Sequence, residues 1–290
     1  MFENFAPNQQ PHQNPLTPLQ EVQKTFRPSS LKIERPESSF PELTIIADDN
    51  LETLRLAPLF DVHVGNNQLD EPLLRKHIQW IADTPNVISW LGGDMIENIT
   101  NEKMGHTKLS NEEQIIVATE ILAPAQHKFA FTLPGNHEAR TYQKTHTSTG
   151  ARLAERLELQ YFNDYCFCTI KWRGNNFRIL THHGAGGGTT AGAQRNSARK
   201  ELAWAKPDIL WTGHLHATLA DTVYMTDYDQ STGRVYERGC AVLISPSYLH
   251  YFGGYAAAMR LTPGLRGLSV CELQPDGRID LNLHARGRRL

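Results

Sequence analysis

Asp, Asn and His gather in five short stretches of this chain. These are DVHVG (Asp61, His63), GGDMIEN (Asp94, Glu97, Asn98), PGNHEAR (Asn136, His137, Glu138, Arg140), THHG (His182, His183) and TGHLH (His214, His216). Carboxylate and amide oxygens are hard donors and imidazole nitrogens borderline ones, a mixture that Mn, Fe and Zn accept. One tetrahedral ion needs about four ligands, and the five stretches offer more. Two ions sharing a bridging carboxylate would use them. Such a pair, about 3.5–4 Å apart, clamps the attacking and leaving oxygens of an in-line phosphoryl displacement. Each stretch alone says little, since a lone GD or GNH usually marks an Asx turn or a helix cap. GHLH is more specific, because histidines at i and i+2 of an extended segment face the same way.

The elements that must position these residues are legible around them. LRLAPLF (54–60) reads as a strand leading into Asp61, and NVISWL (86–91), KFAFTL (128–133), NFRIL (176–180) and DILWTG (208–213) as strands before the other four stretches. Ligands of open α/β sheets collect at the carboxyl ends of strands, so five such loops can converge. Between the strands, EPLLRKHIQWIAD (71–83) has helical spacing, with Pro72 in its first turn. SNEEQIIVATEIL opens with Ser110 and Glu113 in a capping-box arrangement. A helix is expected around 150–159, and another over AQRNSARKELAWA (193–205), stopped by Pro207. YCFCTIKW is a further strand, and 222–285 holds several short strand candidates with turn signals QSTG and PDG. Alternation at the front and strands at the back predict a layered α/β domain with mixed sheets over 41–290.

Residues 1–40 are rich in Pro, Gln and Asn without a sustained apolar period. They read as a disordered or loosely docked arm, available for homo-oligomer contacts, with regular structure from near Leu43. The net charge of −2 over 290 residues gives no global attraction to nucleic acid or an anionic membrane. No apolar run approaches membrane-spanning length, and no basic-then-apolar signal pattern opens the sequence, so a cytoplasmic location is expected. Cys166 and Cys168 share a strand face, and with Cys240 and Cys271 they read as buried thiols. The sequon at Asn98–Thr100 means little without a secretory signal, and Arg286, Arg288 and Arg289 read as a frayed end.

The ordered set D-x-H, G-D, G-N-H-E, H and G-H-x-H resembles the calcineurin-like metallophosphoesterase superfamily over about residues 55–217. The resemblance implies a four-layer α/β/β/α sandwich with a dinuclear site at the strand ends. It implies that Asp61, His63 and His216 hold one divalent metal. Asn136, one histidine of the 182–183 pair, and His214 would hold the other, with Asp94 bridging. Manganese is expected, with Fe, Zn or Ni as alternatives. His182 is the expected ligand of its pair because it comes first off the strand, leaving His183 to shape the substrate pocket. His137 would stabilise the transition state or protonate the leaving oxygen, with Glu97 orienting it, and Arg140 would reach a phosphate oxygen. The implied chemistry is attack on phosphorus by metal-activated water, without a phosphoenzyme intermediate.

Substrate is less clearly marked. The protein-phosphatase branch shows GDxxDRG and RGNHE, whereas this chain has GDMIENI and PGNHE. DVHVG resembles the nuclease-like branch, and the combination of HHGAGGGTTAG with GHLH resembles phage and bacterial phosphoesterases. A phosphodiesterase acting on nucleic acid or a nucleotide is therefore expected, with a small phosphomonoester as runner-up. Aromatics in YLHYFGGY (248–255) could stack bases. An inactive binding scaffold of the same fold is the alternative of another class, although no ligand position is missing. GGGTTA (186–191) fits a dinucleotide turn in form only, since two histidines precede the glycines. HEART (137–141) lacks the second histidine of HExxH, and no HxE with a downstream CxxC is present.

Overall fold

The structure, a computed structural model, describes residues 31–98, 107–188, 190–253, 257 and 263–282. The elements run β1 (Lys32–Glu34), β2 (Glu42–Ile46), β3 (Leu54–Leu56), α1 (Glu71–Asp83), β4 (Val87–Leu91), α2 (Asn111–Leu122), β5 (Phe129–Thr132) and α3 (Asn136–Thr145). They continue with α4 (Thr149–Arg156), β6 (Gln160–Tyr161), β7 (Tyr165–Trp172), β8 (Asn175–His182), α5 (Ala191–Ala198) and β9 (Ile209–Thr212). The last are β10 (Leu219–Tyr228), β11 (Val235–Ile244), β12 (Val270–Leu273) and β13 (Ile279–Asn282). The fold is mixed α/β. One sheet has the order β1-β2-β7-β8-β9-β11-β10 and the other β13-β12-β3-β4-β5-β6, each with parallel and antiparallel pairs.

Strand periodicity divides the apolar residues among three clusters. Ile88 and Trp90 of β4 join Cys166, Cys168 and Ile170 of β7, Ile179 of β8 and Trp211 of β9 in a core to which both sheets contribute. The alternate residues Val87 and Leu91 lie with Leu74, Ile78 and Ile81 of α1, and with Ile115 and Ala118 of α2. Leu180, Leu210 and Val242 lie with Ala198 of α5. Large aromatics join the sheets. Trp90 packs edge-on to Trp211 with ring centroids 5.5 Å apart and donates from Nε1 to Thr181 Oγ1 at 3.2 Å.

Local signals placed most elements. α1 covers the expected residues, with Asp70 capping Leu73 N, and α2 carries the Ser110–Glu113 capping box. Three differences stand out. The sheet starts earlier than Leu43, because Lys32–Glu34 pairs antiparallel with β2. NHEARTYQKT, where no helix was expected beyond the loop PGNHEAR, is helix α3. The single helix expected over 193–205 is α5 followed by a 3-10 turn, Lys200–Ala203. The expected N-terminal arm through residue 30, most of the sequon and the arginine tail lie outside the described residues. No helix among the described residues is long and apolar enough to cross a membrane.

Candidate metal centre

Parallel pairing aims the five stretches at one place. β3, β4 and β5 run parallel in one sheet, and β8 and β9 in the other, so each delivers its Asp- or His-bearing loop to the same end. Turning there requires unusual backbone. Asp61, His63, Asp94, His214 and His216 all have φ between 49° and 66°, the left-handed region that non-glycine residues avoid. Such strain, about 1–3 kcal/mol per residue, persists where surrounding structure over-determines it. The adjacent glycines let the loops close on one another. A Cβ on Gly135 would lie 2.0 Å from Asp94 Oδ1, and one on Gly213 would lie 2.6 Å from Asp61 Oδ2.

Each aspartate uses one oxygen to fix a neighbouring loop and turns the other inward. Asp61 Oδ2 accepts from the His214 amide at 2.8 Å, while Oδ1 is buried without a hydrogen-bond partner. His216 Nε2 lies 3.4 Å and His183 Nε2 3.8 Å from that oxygen. Asp94 Oδ1 accepts from the His137 amide at 2.8 Å. Its Oδ2 faces His183 Nε2 at 3.2 Å, His137 Nε2 at 3.8 Å and His63 Nε2 at 3.9 Å.

The imidazoles follow the same logic. His63 Nδ1 lies 3.1 Å from Glu97 Oε2, His183 Nδ1 3.1 Å from the Gly92 carbonyl, and His214 Nε2 2.9 Å from the Gly186 carbonyl. A nitrogen held against an acceptor carries the proton, so the other nitrogen of each neutral ring presents a lone pair inward. What those lone pairs meet are further acceptors. His63 Nε2 lies 3.2 Å from His216 Nε2, and Asn136 Oδ1 lies 3.2 Å from His183 Nε2 and 2.8 Å from His214 Nδ1. Neutral rings would set lone pairs against lone pairs there, beside an orphaned buried carboxylate oxygen. A positive charge between them, a proton on His183 or a metal ion, reconciles them. Three groups of donors lie close enough to share an ion: Asp61, His63 and His216; Asp61, Asp94 and His183; and His63, Glu97 and His137. These residues could hold a metal.

The titration shifts have the same origin. Burial alone would raise the Asp94 carboxyl, but His183, with His137 and His63, holds it well below the usual carboxylate range. Burial likewise opposes charge on His183, and Asp94 and Asp61 overcome it and push the ring up to about 10. His137 behaves oppositely. Burial pulls it down to about 4 despite Asp94 and Glu97, so the free ring is neutral at pH 7.

No family model and no curated protein matches the chain. Among solved structures, the Thermotoga maritima protein TM1076, determined by solution NMR, is similar over 79% of this chain and 99% of that one. The identity is 13% and the TM-score 0.31, a likeness that carries no functional argument.

Most residues singled out in the sequence meet here, and three assignments change. His183, not His182, enters the cluster. His182 Nε2 lies 3.3 Å from Glu201 Oε1 and its Nδ1 accepts from the Gly184 amide, so it braces the 3-10 turn after α5. Glu97 turns its carboxylate to His63 and Asn66. Its backbone carbonyl, 2.5 Å from His137 Nδ1, is what orients His137. Tyr248, offered as a stacking surface, is fully buried with its hydroxyl 3.0 Å from His77 Nδ1. Arg140 stays one helical turn from the cluster, donating from Nε to the Asn136 carbonyl at 3.3 Å.

Glu138 has a part that the sequence reading left unassigned. Buried at N3 of α3, it accepts from the amides of Asp94, Met95, Ile96 and Gly135 at 2.8–3.3 Å, joining the second and third stretches. The signal was a Glu three residues after the glycine that precedes the helix, the spacing of a reciprocal cap. Asn98 adds a second tie, donating from Nδ2 to the His137 carbonyl.

Proposed function

We propose that this protein is a metal-dependent phosphoesterase of the calcineurin-like type, most simply a phosphodiesterase acting on nucleic acid or nucleotides. The observation that carries this reading is Asp94 Oδ2, which lies among imidazole nitrogens from three different loops while its partner oxygen is spent on a backbone amide. Asp61, His63 and His216 would hold one divalent ion. Asn136, His183 and His214 would hold the second, with Asp94 shared. Nitrogen and oxygen donors without a thiolate suit Mn, with Fe, Zn or Ni as alternatives. The four-layer α/β/β/α reading is supported by the shared inter-sheet core, with α1 and α2 against one sheet and α5 against the other.

Two such ions would polarise the phosphoryl group and lower the pKa of water to near neutrality. The chain's own residues supply the rest. Asn136 is exposed and His137, His214 and His216 half-buried, whereas Asp61, Asp94 and His183 form a buried floor, so substrate enters from the Asn136 side. With Nδ1 tied to the Glu97 carbonyl, His137 can exchange a proton only through Nε2. An anionic phosphoester beside Nε2 would favour the imidazolium at that nitrogen. That proton is then available to the departing alkoxide. The glycine loop, held to His214 through the Gly186 carbonyl, forms part of the rim. Preference for a diester rests on the DVHVG form.

The test is metal analysis of the purified chain, with Mn-supported hydrolysis of bis-p-nitrophenyl phosphate, p-nitrophenyl phosphate, cyclic nucleotides and DNA. Two equivalents of metal and diester cleavage are expected. Tight binding of fewer than two, or no hydrolysis of any of these, would sink the assignment.

A further inference from the structure

β10 is the outermost strand of the seven-stranded sheet, and among the described residues only β11 pairs with it. Its ten residues run in unbroken register, from Leu219 opposite Ile244 to Tyr228 opposite Val235, so no bulge bends the edge. The strand LADTVYMTDY contains no Pro and no Lys, residues that commonly blunt an edge against pairing. Its two carboxylates already have cations from their own chain. Asp221 is paired with Arg195 at 3.1 Å and with Arg199, and Asp227 with Lys206 at 2.7 Å. What remains is a long row of backbone donors and acceptors with its charges compensated.

This edge also reads nearly alike in both directions. From Asp221 to Asp227 the order is Asp, Thr, apolar, Tyr, apolar, Thr, Asp, centred on Tyr224. Antiparallel pairing of two copies about a two-fold axis at Tyr224 sets Tyr224 beside its counterpart, Thr222 beside Thr226, and Val223 beside Met225. On one face Thr222, Tyr224, Thr226 and Tyr228 are all exposed, Tyr224 at 79% and Tyr228 at 68%. Aromatic–aromatic and Thr–Thr contacts are favourable cross-strand pairs. On the other face, Val223 and Met225 border the apolar cluster of Leu180 and Val242 and would extend it across the axis. Asp221 would oppose Asp227, a repulsive pair if bare. Each instead arrives with its Arg or Lys, and the row alternates in sign.

We propose that β10 pairs with β10 of a second copy, joining two seven-stranded sheets into one continuous sheet across a two-fold axis. Such an interface presents the same patch on both partners and closes on itself. The opposite edge is a poor competitor, since β1 has three residues and carries Lys32 and Glu34.

Sedimentation velocity or light scattering on the full chain at micromolar concentration should give about twice the 32.7 kDa of one chain. Tyr224→Glu places two carboxylates at the axis and should weaken the dimer at least tenfold, with circular dichroism unchanged. Tyr224→Cys should form a disulfide-linked dimer on mild oxidation, because the four native thiols are buried. Tyr228→Cys, which would meet Ala220, should cross-link far more slowly. A monomer at tens of micromolar overturns the proposal. So does a dimer indifferent to Tyr224→Glu, or cross-linking at position 228 that matches position 224.

Discussion

Adjacent residues of an extended strand face opposite ways, and at the end of β8 this decides the fate of two histidines. Phe177 and Ile179 lie in the inter-sheet core and Thr181 bonds to Trp90 there, so His183 continues that face towards Asp94. His182 shares the parity of Leu180 and turns to Glu201. The sequence could not supply this phase. Residues 179–182 are all buried because both sheet faces are covered, and RILTHH therefore shows no alternation. His183→Ala should lower affinity for divalent metal at least tenfold and leave about one ion per chain by elemental analysis. His182→Ala should keep two ions but lose stability, on the order of 1–3 kcal/mol, because Glu201 loses its partner. The reverse pattern would return the ligand role to His182. His137 supplies no metal-facing atom that the reading needs, so His137→Ala should keep its metals while kcat falls about 10²–10⁴-fold. Loss of metal in that variant would make His137 a ligand instead.

At the level of elements, the five stretches are held together by α3 as much as by the strands. Glu138 accepts four backbone amides from two loops, Oε1 taking Met95 and Ile96 and Oε2 taking Asp94 and Gly135. Burial and the nearby Asp94 push its carboxyl up to about 7, against those amide donors. An amide cannot reproduce the arrangement, because its NH₂ would face donors. Glu138→Gln should cost about 1–3 kcal/mol in chemical denaturation, without removing a metal-facing atom. An unchanged midpoint would mean that the loops hold their shape unaided. α3 escaped the sequence reading because NHEARTYQKT lacks a continuous apolar stripe, burying only Glu138 and Thr141. α1 was plain from Leu74, Ile78 and Ile81 at helical spacing. The buried surprise in α1 is His77, which burial pulls down to about 4 beside the Tyr248 hydroxyl. Its folded pKa lies below the ordinary 6.5, so between these values the unfolded chain takes up a proton that the folded one refuses. Stability from this group is intact above about 6.5 and falls by up to about 1.4 kcal/mol per pH unit towards 4. Thermal melts of His77→Gln across that window should be flatter than those of the parent chain, and parallel curves would exclude His77 as the cause.

For the whole molecule, the two sheets meet at the end where β3, β4, β5, β8 and β9 deliver their loops, and the centre draws on both. Any cation bound there holds the sheets together, and one that binds only the folded chain stabilises it by about 2.7 kcal/mol per site at a hundredfold excess over Kd. Stripping divalent ions with a chelator should therefore lower Tm, and re-adding Mn should restore it. Equal Tm values with and without metal would argue that no folded-state metal site exists. This long-range convergence was legible from motif order alone, since each polar stretch ends a strand. The length of the β10–β11 hairpin was not, because 222–285 reads as several short strand candidates where two ten-residue strands run. The left-handed turns at Asp61, His63, Asp94, His214 and His216 bear on how such a protein can change over generations. At each of them glycine would sit more comfortably than the residue present. At Asp61 and Asp94 that relief is offset, because the carboxylates accept the His214 and His137 amides. At His63, His214 and His216 backbone relief and loss of the centre run along the same substitutions, and only selection on the chemistry would hold those three side chains in place.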